Sequence, residues 1–102
     1  MEYKLRYTVM FQDDLNEILD YITYKLQNPI AANRFLDALE AAIQSCKVSP
    51  LSCAPYASKK ERAVPYYVLN VKNYSAFYVV RDETIEFRRL LYSRSDLDAK
   101  LD

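Results

Sequence analysis

Hydrophobic and polar positions change rhythm several times along this chain. Tyr3, Leu5, Tyr7 and Val9 alternate with Glu2, Lys4, Arg6 and Thr8. A period of two belongs to a strand with one buried face, so the first element is predicted to be a strand over residues 3–9. From Phe11 the spacing lengthens. Phe11, Leu15, Ile18, Leu19, Ile22 and Leu26 form the stripe of an amphipathic helix, with Asp13 or Asp14 placed to accept the free amides at its start. The stripe ends near Gln27. Asn28 followed by Pro29 then restarts the helix, because asparagine caps well and proline suits the first helical position. Ala32, Phe35, Leu36, Leu39, Ile43 and Cys46 carry the second stripe to about Val48, while Arg34, Asp37, Glu40 and Gln44 face water. So short a connection predicts an antiparallel helical hairpin.

Pro50 and Pro55 bracket a turn-prone segment, residues 49–61, read as a loop with room for a short strand at its end. Beyond it the helical period does not return. Residues 66–71, 74–80 and 84–92 are rich in Tyr, Val, Phe and Ile and are punctuated by Lys72-Asn73 and Asp82-Glu83, which predicts three antiparallel strands in a meander. Ser95 and Asp98 form a capping pattern for a short terminal helix through Leu101. The order is βααβββ plus a tail. Helices followed by strands imply an α+β fold, with the helical hairpin on one face of an antiparallel sheet and residues 1–102 forming one domain.

Composition narrows the chemistry. The chain has no glycine and no histidine, which removes phosphate-cradling glycine loops, histidine-based nucleophilic centres and mixed zinc sites. Acid–base work would fall to carboxylate, lysine, tyrosine or cysteine side chains. Cys46 and Cys53 match neither a redox CxxC nor a metal framework and read as a buried helical thiol and a loop thiol. No cofactor or metal is expected. No apolar run approaches the roughly 20 residues of a membrane span, and nothing near Met1 resembles a signal peptide, so the expected location is the cytoplasm. Net charge is zero, 14 basic against 14 acidic. The halves differ by a little: residues 1–50 carry five basic and seven acidic side chains, residues 51–102 nine and seven. Between Lys59 and Arg94 basic side chains outnumber acidic ones eight to four.

Taken in order, these segments resemble the RelE/ParE superfamily of toxins from bacterial type II toxin-antitoxin modules. The resemblance rests on Asp14, Leu15, Ile18, Tyr21 and Ile22 in the first helix; Pro29, Ala31 and Ala32 at the start of the second; Asn73, Tyr74 and Tyr78 in a strand; and Tyr92, Arg94 and Asp96 at the end. It implies growth arrest, a plasmid-stabilisation role and neutralisation by a small antitoxin in a hetero-oligomer. RelE-like members enter the ribosome and cleave mRNA without a metal. ParE-like members poison DNA gyrase. The function expected from the resemblance is the RelE-like one, an mRNA endonuclease that arrests translation, with gyrase inhibition or an inactive antitoxin-binding module as the alternative.

For the mRNA endoribonuclease reading, 2′-OH attack needs a proton acceptor, cations around the phosphate and a proton source for the leaving oxygen. Arg62, Arg88, Tyr92 and Arg94 are the residues assigned to that chemistry, with Lys59, Lys60 and Tyr74 assigned to nucleic-acid binding. Strict alternation along residues 84–92 places Glu86, Arg88, Leu90 and Tyr92 on an open face and Ile85, Phe87, Arg89 and Leu91 against the helices. Two features depart from the nuclease pattern. Ser75 stands where RelE-like enzymes often carry arginine, and zero net charge is low for a protein that must grip RNA.

Overall fold

The computed structural model describes residues 2–53, 55–56 and 64–101. Lys59, Lys60 and Arg62 therefore lie outside the described residues. Thr8 switches the chain from β1 (Lys4–Tyr7) to α1 (Val9–Asp20). Its Oγ1 accepts the Phe11 N–H at 3.1 Å and donates to the Arg88 carbonyl at 3.0 Å. The helix thus begins two residues ahead of the change in period, with Thr8 rather than Asp13 or Asp14 as its cap.

After Asp20 the helix widens into a π turn, Tyr21–Lys25, where the Leu26 N–H reaches back five residues to the Tyr21 carbonyl. The wider turn rotates the stripe out of phase. Ile22 stays buried, but Leu26 is 55% exposed instead of continuing the apolar face. Gln27 turns at φ 52°, and Asn28 Oδ1 accepts the Ala31 N–H at 3.0 Å to start α2 (Pro29–Val48). Ala32, Phe35, Leu39, Ile43 and Cys46 face inward as the spacing requires. A 3₁₀ turn, Pro50–Ser52, follows.

Three further strands, β2 (Tyr67–Val71), β3 (Tyr74–Arg81) and β4 (Thr84–Tyr92), complete a four-stranded sheet of order β1-β4-β3-β2. The meander is antiparallel as expected, whereas β1 runs parallel to β4. Because the helical hairpin carries the chain from one end of the sheet to the other, β1 can join β4 only across the sequence, and the sheet is mixed. In the absence of glycine, Lys72, Asp82 and Glu83 take the left-handed backbone positions of the two tight turns. Asp96 caps α3 (Leu97–Lys100) by accepting the Ala99 N–H, so Ser95 is not the cap.

The sheet is buried on both faces. On the helix side Phe11, Ile18, Phe35, Leu39, Tyr78, Ile85, Phe87 and Leu90 form the main core. On the other side Tyr66, Phe77, Val79, Leu91 and Leu101 form a second, smaller core. The face expected to be open is therefore closed over much of its area by the segment leading into β2 and by the C-terminal turn of chain.

One irregularity decides where the end of β4 points. Phe77 pairs with Arg89 and Tyr78 with Phe87, which leaves Arg88 as the extra residue of a β-bulge. Ile85 and Phe87 enter the helix-side core, and after the bulge Leu90 does so while Leu91 enters the opposite core. The alternation has slipped by one. Tyr92 consequently lies on the helix side, on the face opposite Arg88, and strict alternation is corrected on this point.

Candidate functional site

The bulge is held from outside the strand. Pairing between β1 and β4 stops at Phe87, so the next backbone groups of β4 need other partners. Thr8 takes the Arg88 carbonyl, and Asp14 accepts the Leu90 N–H at 2.9 Å. The same carboxylate receives Arg89 in bidentate fashion, Nε at 2.8 Å and Nη2 at 3.1 Å, while Arg89 Nη1 donates to the Lys100 carbonyl at 2.7 Å. Asp14 thus ties α1 to β4, and through Arg89 to the C-terminal helix.

Beside this clamp, a cleft of about 1180 Å³ opens between the hairpin and the end of the sheet. Its aromatic floor runs from Phe35 to Tyr74, 5.2 Å between ring centres, and on to Tyr92 at 5.8 Å, both edge to face. Tyr21, half exposed after the π turn, forms a wall. Burial raises the Tyr74 hydroxyl pKa above its ordinary range, and the neighbouring Tyr21 and Tyr92 add to the rise. Tyr74 is therefore an uncharged donor at neutral pH. Arg34, Lys72 and Lys100 line the same cleft with Glu17 as their only acidic counterpart outside the Asp14–Arg89 pair, among the described residues. Large amphipathic rings rimmed by cations are suited to gripping an amphipathic segment of opposite charge.

The opposite face is organised differently. Arg88 Nε donates to Glu86 Oε1 at 2.8 Å, and the guanidinium stands 5.9 Å over the Tyr66 ring. Burial works against its charge, but Glu86 and Tyr66 more than offset this and its pKa lies above the ordinary value. Glu86 is also 3.5 Å from Arg6 Nε, so its carboxylate is already shared by two cations. At the strand end Ser75 Oγ donates to Asn70 Oδ1 at 2.9 Å and lies 2.8 Å from Ser93 Oγ. Hydroxyls and an amide occupy the ground where an arginine would stand in the nuclease pattern. Arg94 is exposed on the turn that follows β4.

Of the residues proposed from sequence, then, Tyr74 and Tyr92 meet in the cleft, Arg88 lies across the sheet, and Arg94 lies beyond the strand end. Tyr21, Arg34 and Lys72 were missed as site residues. Arg34 had the polar side of α2 as its signal and Lys72 a turn, and neither reveals which surface it borders. Tyr66, 3% exposed, and Tyr67, stacked on Tyr78, belong to the packing of the sheet and not to the cleft. Among the described residues no group of three acidic, cysteine or histidine side chains could hold a metal ion, and no helix is long and apolar enough to cross a membrane.

Residues 5–97 match the family model described as the ParE toxin of the type II toxin-antitoxin system, parDE. The chain belongs to the ParE toxin family. The match covers both the cleft and the bulged strand. The fold recurs in solved toxin-antitoxin structures. The chromosomal ParDE system from P. aeruginosa aligns with a TM-score of 0.71 at 18% identity, covering 89% of this chain and 96% of that one. The RelBE2 complex from Mycobacterium tuberculosis aligns with a TM-score of 0.60 at 19% identity, covering 90% and 99%. The RelB-RelE complex from Methanococcus jannaschii gives a TM-score of 0.54 at 25% identity, covering 92% and 96%. No curated protein matches the sequence significantly. ParE and RelE toxins thus share this architecture, and the choice between their activities rests on the site.

Proposed function

We propose that this ParE-family toxin arrests growth by docking on a macromolecular target, DNA gyrase, and that it does not cut RNA. The observation that carries this reading is the bulge at Arg88. It places Arg88 and Tyr92 on opposite faces of β4, whereas phosphodiester cleavage needs its cation and its proton source around one phosphate. Glu86, paired with Arg88, is already engaged by a second arginine, Arg6. Ser75, hydrogen-bonded to Asn70 and Ser93, supplies no charge. Gyrase is the target that resemblance to ParE-like toxins implies.

The partner in the resting state is a cognate antitoxin. The cleft of Tyr21, Tyr74 and Tyr92, rimmed by Arg34, Lys72 and Lys100, suits an amphipathic antitoxin segment with acidic side chains that orders on binding. Purified protein titrated into a gyrase reaction on relaxed plasmid tests the activity. Loss of supercoiling, restored by antitoxin, is expected. Unchanged supercoiling at saturating protein, together with mRNA cleavage in a ribosome-containing reaction, would overturn the proposal.

A further inference from the structure

The π turn that follows α1 leaves an apolar notch at the hairpin end of the cleft. Such a turn holds one residue more than an α turn, so every later position is shifted by about 100° around the helix axis. Continued as an α-helix, the stripe of Ile18 and Ile22 would carry Leu26 inward. Instead the Leu26 N–H donates to the Tyr21 carbonyl at 3.0 Å, the Asn28 N–H donates to the Ile22 carbonyl at 3.0 Å, and Gln27 turns between them at φ 52°. These bonds hold Leu26 outward, and it lines the cleft together with Tyr21, each of them about half exposed. Ile22 and Phe35, both buried, lie behind them as the floor, and Ala31 in the first turn of α2 is small enough to leave the space open. Arg34, one turn further along α2, lines the same end of the cleft. Among the described residues it makes no ion pair.

We propose that this notch is a specificity pocket for the cognate antitoxin, which seats one large apolar side chain between Tyr21 and Leu26 and places an acidic side chain of the same segment on Arg34. The proposal rests on the antitoxin reading above and adds to it the place and the chemistry of the anchor. Two observations fix the occupant. The notch is continuous with the cleft whose cations suit an acidic amphipathic segment, so one segment can fill both. The unpaired guanidinium beside the two apolar walls is complementary to an acidic partner and repels a basic one.

Backbone hydrogen bonds already hold the walls in place, so binding has little ordering left to do there. An apolar anchor seated in a desolvated pocket carries a large share of the energy of such an interface. The notch exists only while the turn is widened. A toxin with the same side chains on an uninterrupted α-helix would bury the residue at this position and lack the pocket, which makes the π turn itself a determinant of antitoxin choice.

The test titrates the full chain calorimetrically with the purified product of the reading frame that adjoins its gene. Leu26→Asn and Tyr21→Ala, both at half-exposed positions, should each raise Kd at least about tenfold with an unchanged unfolding midpoint. Val48→Asn, exposed and outside the cleft, should bind as the parent does. Arg34→Ala should weaken binding and reduce its salt dependence. Alanine substitution of the large apolar residues of the antitoxin, one at a time, should find one whose effect disappears in the Leu26→Asn background. Parent-like Kd in both Leu26→Asn and Tyr21→Ala, or the absence of any antitoxin residue coupled to Leu26, would overturn the proposal and leave the antitoxin reading standing. Failure of the parent chain to bind the adjoining product would overturn that reading, and the proposal with it.

Discussion

Replacing Asp14 with alanine removes three hydrogen bonds at once and strikes the point where the chain's local and long-range order meet. The carboxylate is 9% exposed and accepts Arg89 Nε, Arg89 Nη2 and the Leu90 N–H. Breaking a buried pair by deleting one partner costs about 3–5 kcal/mol, because the remaining charge keeps its desolvation penalty. An orphaned backbone N–H adds about 1–3 kcal/mol. Arg89 offsets part of this, since it keeps the Lys100 carbonyl at 2.7 Å and is itself 17% exposed at its side chain. The expected net loss is therefore about 3 kcal/mol, at the lower end of the pair's range. For a domain of this size that lowers the thermal midpoint by more than about 10 °C. Asp14→Asn retains an acceptor for Leu90 and should lose about half as much. The neighbouring Asp13 is exposed, and Asp13→Ala should stay within about 0.5 kcal/mol of the parent. Urea and thermal unfolding followed by circular dichroism measure all three. If Asp14→Ala unfolds with the same midpoint as Asp13→Ala, the clamp does not hold β4 and the assigned cause of the bulge fails.

Tyr78→Phe deletes the buried hydrogen bond to Pro50 and should cost about 1–2 kcal/mol in the same unfolding experiment. Burial raises the Tyr78 pKa from 10.0, with the Cys46 and Cys53 thiols adding to the rise, and burial likewise raises those of Tyr7 and Tyr74. Above pH 10.0 the unfolded chain releases protons that these native hydroxyls retain, so their contribution is complete below that pH and is lost as pH rises further. The thermal midpoint should fall on the alkaline side, and less steeply in Tyr78→Phe than in the parent; equal slopes would refute the assignment. Arg88→Ala should leave growth arrest intact, because Arg88 serves an ion pair on the face opposite the cleft, whereas Tyr92→Ala should weaken antitoxin binding about tenfold by calorimetric titration. Loss of growth arrest in Arg88→Ala with unchanged unfolding would return the nuclease reading to favour.

Element types were legible from periodicity because each helix shows one apolar stripe and each strand of the meander is bounded by turn residues. The failures have physical reasons. Leu90 and Leu91 are both apolar and both buried, one in each core, so the pattern of β4 is compatible with either phase. What fixes the phase is a carboxylate 75 positions away in the sequence. Thr8 was hidden because the alternation of Tyr3, Leu5, Tyr7 and Val9 runs through it, although Val9 is 73% exposed at the start of α1. The π turn could not be seen either, since Ile22 and Leu26 keep helical spacing whether or not the next turn widens. Nor does the spacing of Tyr78 in its strand reveal the partner of its hydroxyl, the Pro50 carbonyl that the 3₁₀ turn brings over it. Of the site, the rings Tyr74 and Tyr92 were found through the family resemblance, as members of its strand and terminal motifs. Arg34 and Lys72 join them only through the packing of the hairpin on the sheet.

Inducing the protein alone in a bacterial host and following labelled thymidine and labelled methionine incorporation over the first minutes tests the docking mechanism most directly. A toxin that acts on gyrase should depress thymidine incorporation first, with methionine incorporation falling later. Early loss of methionine incorporation with thymidine spared would contradict the account and place the target in translation.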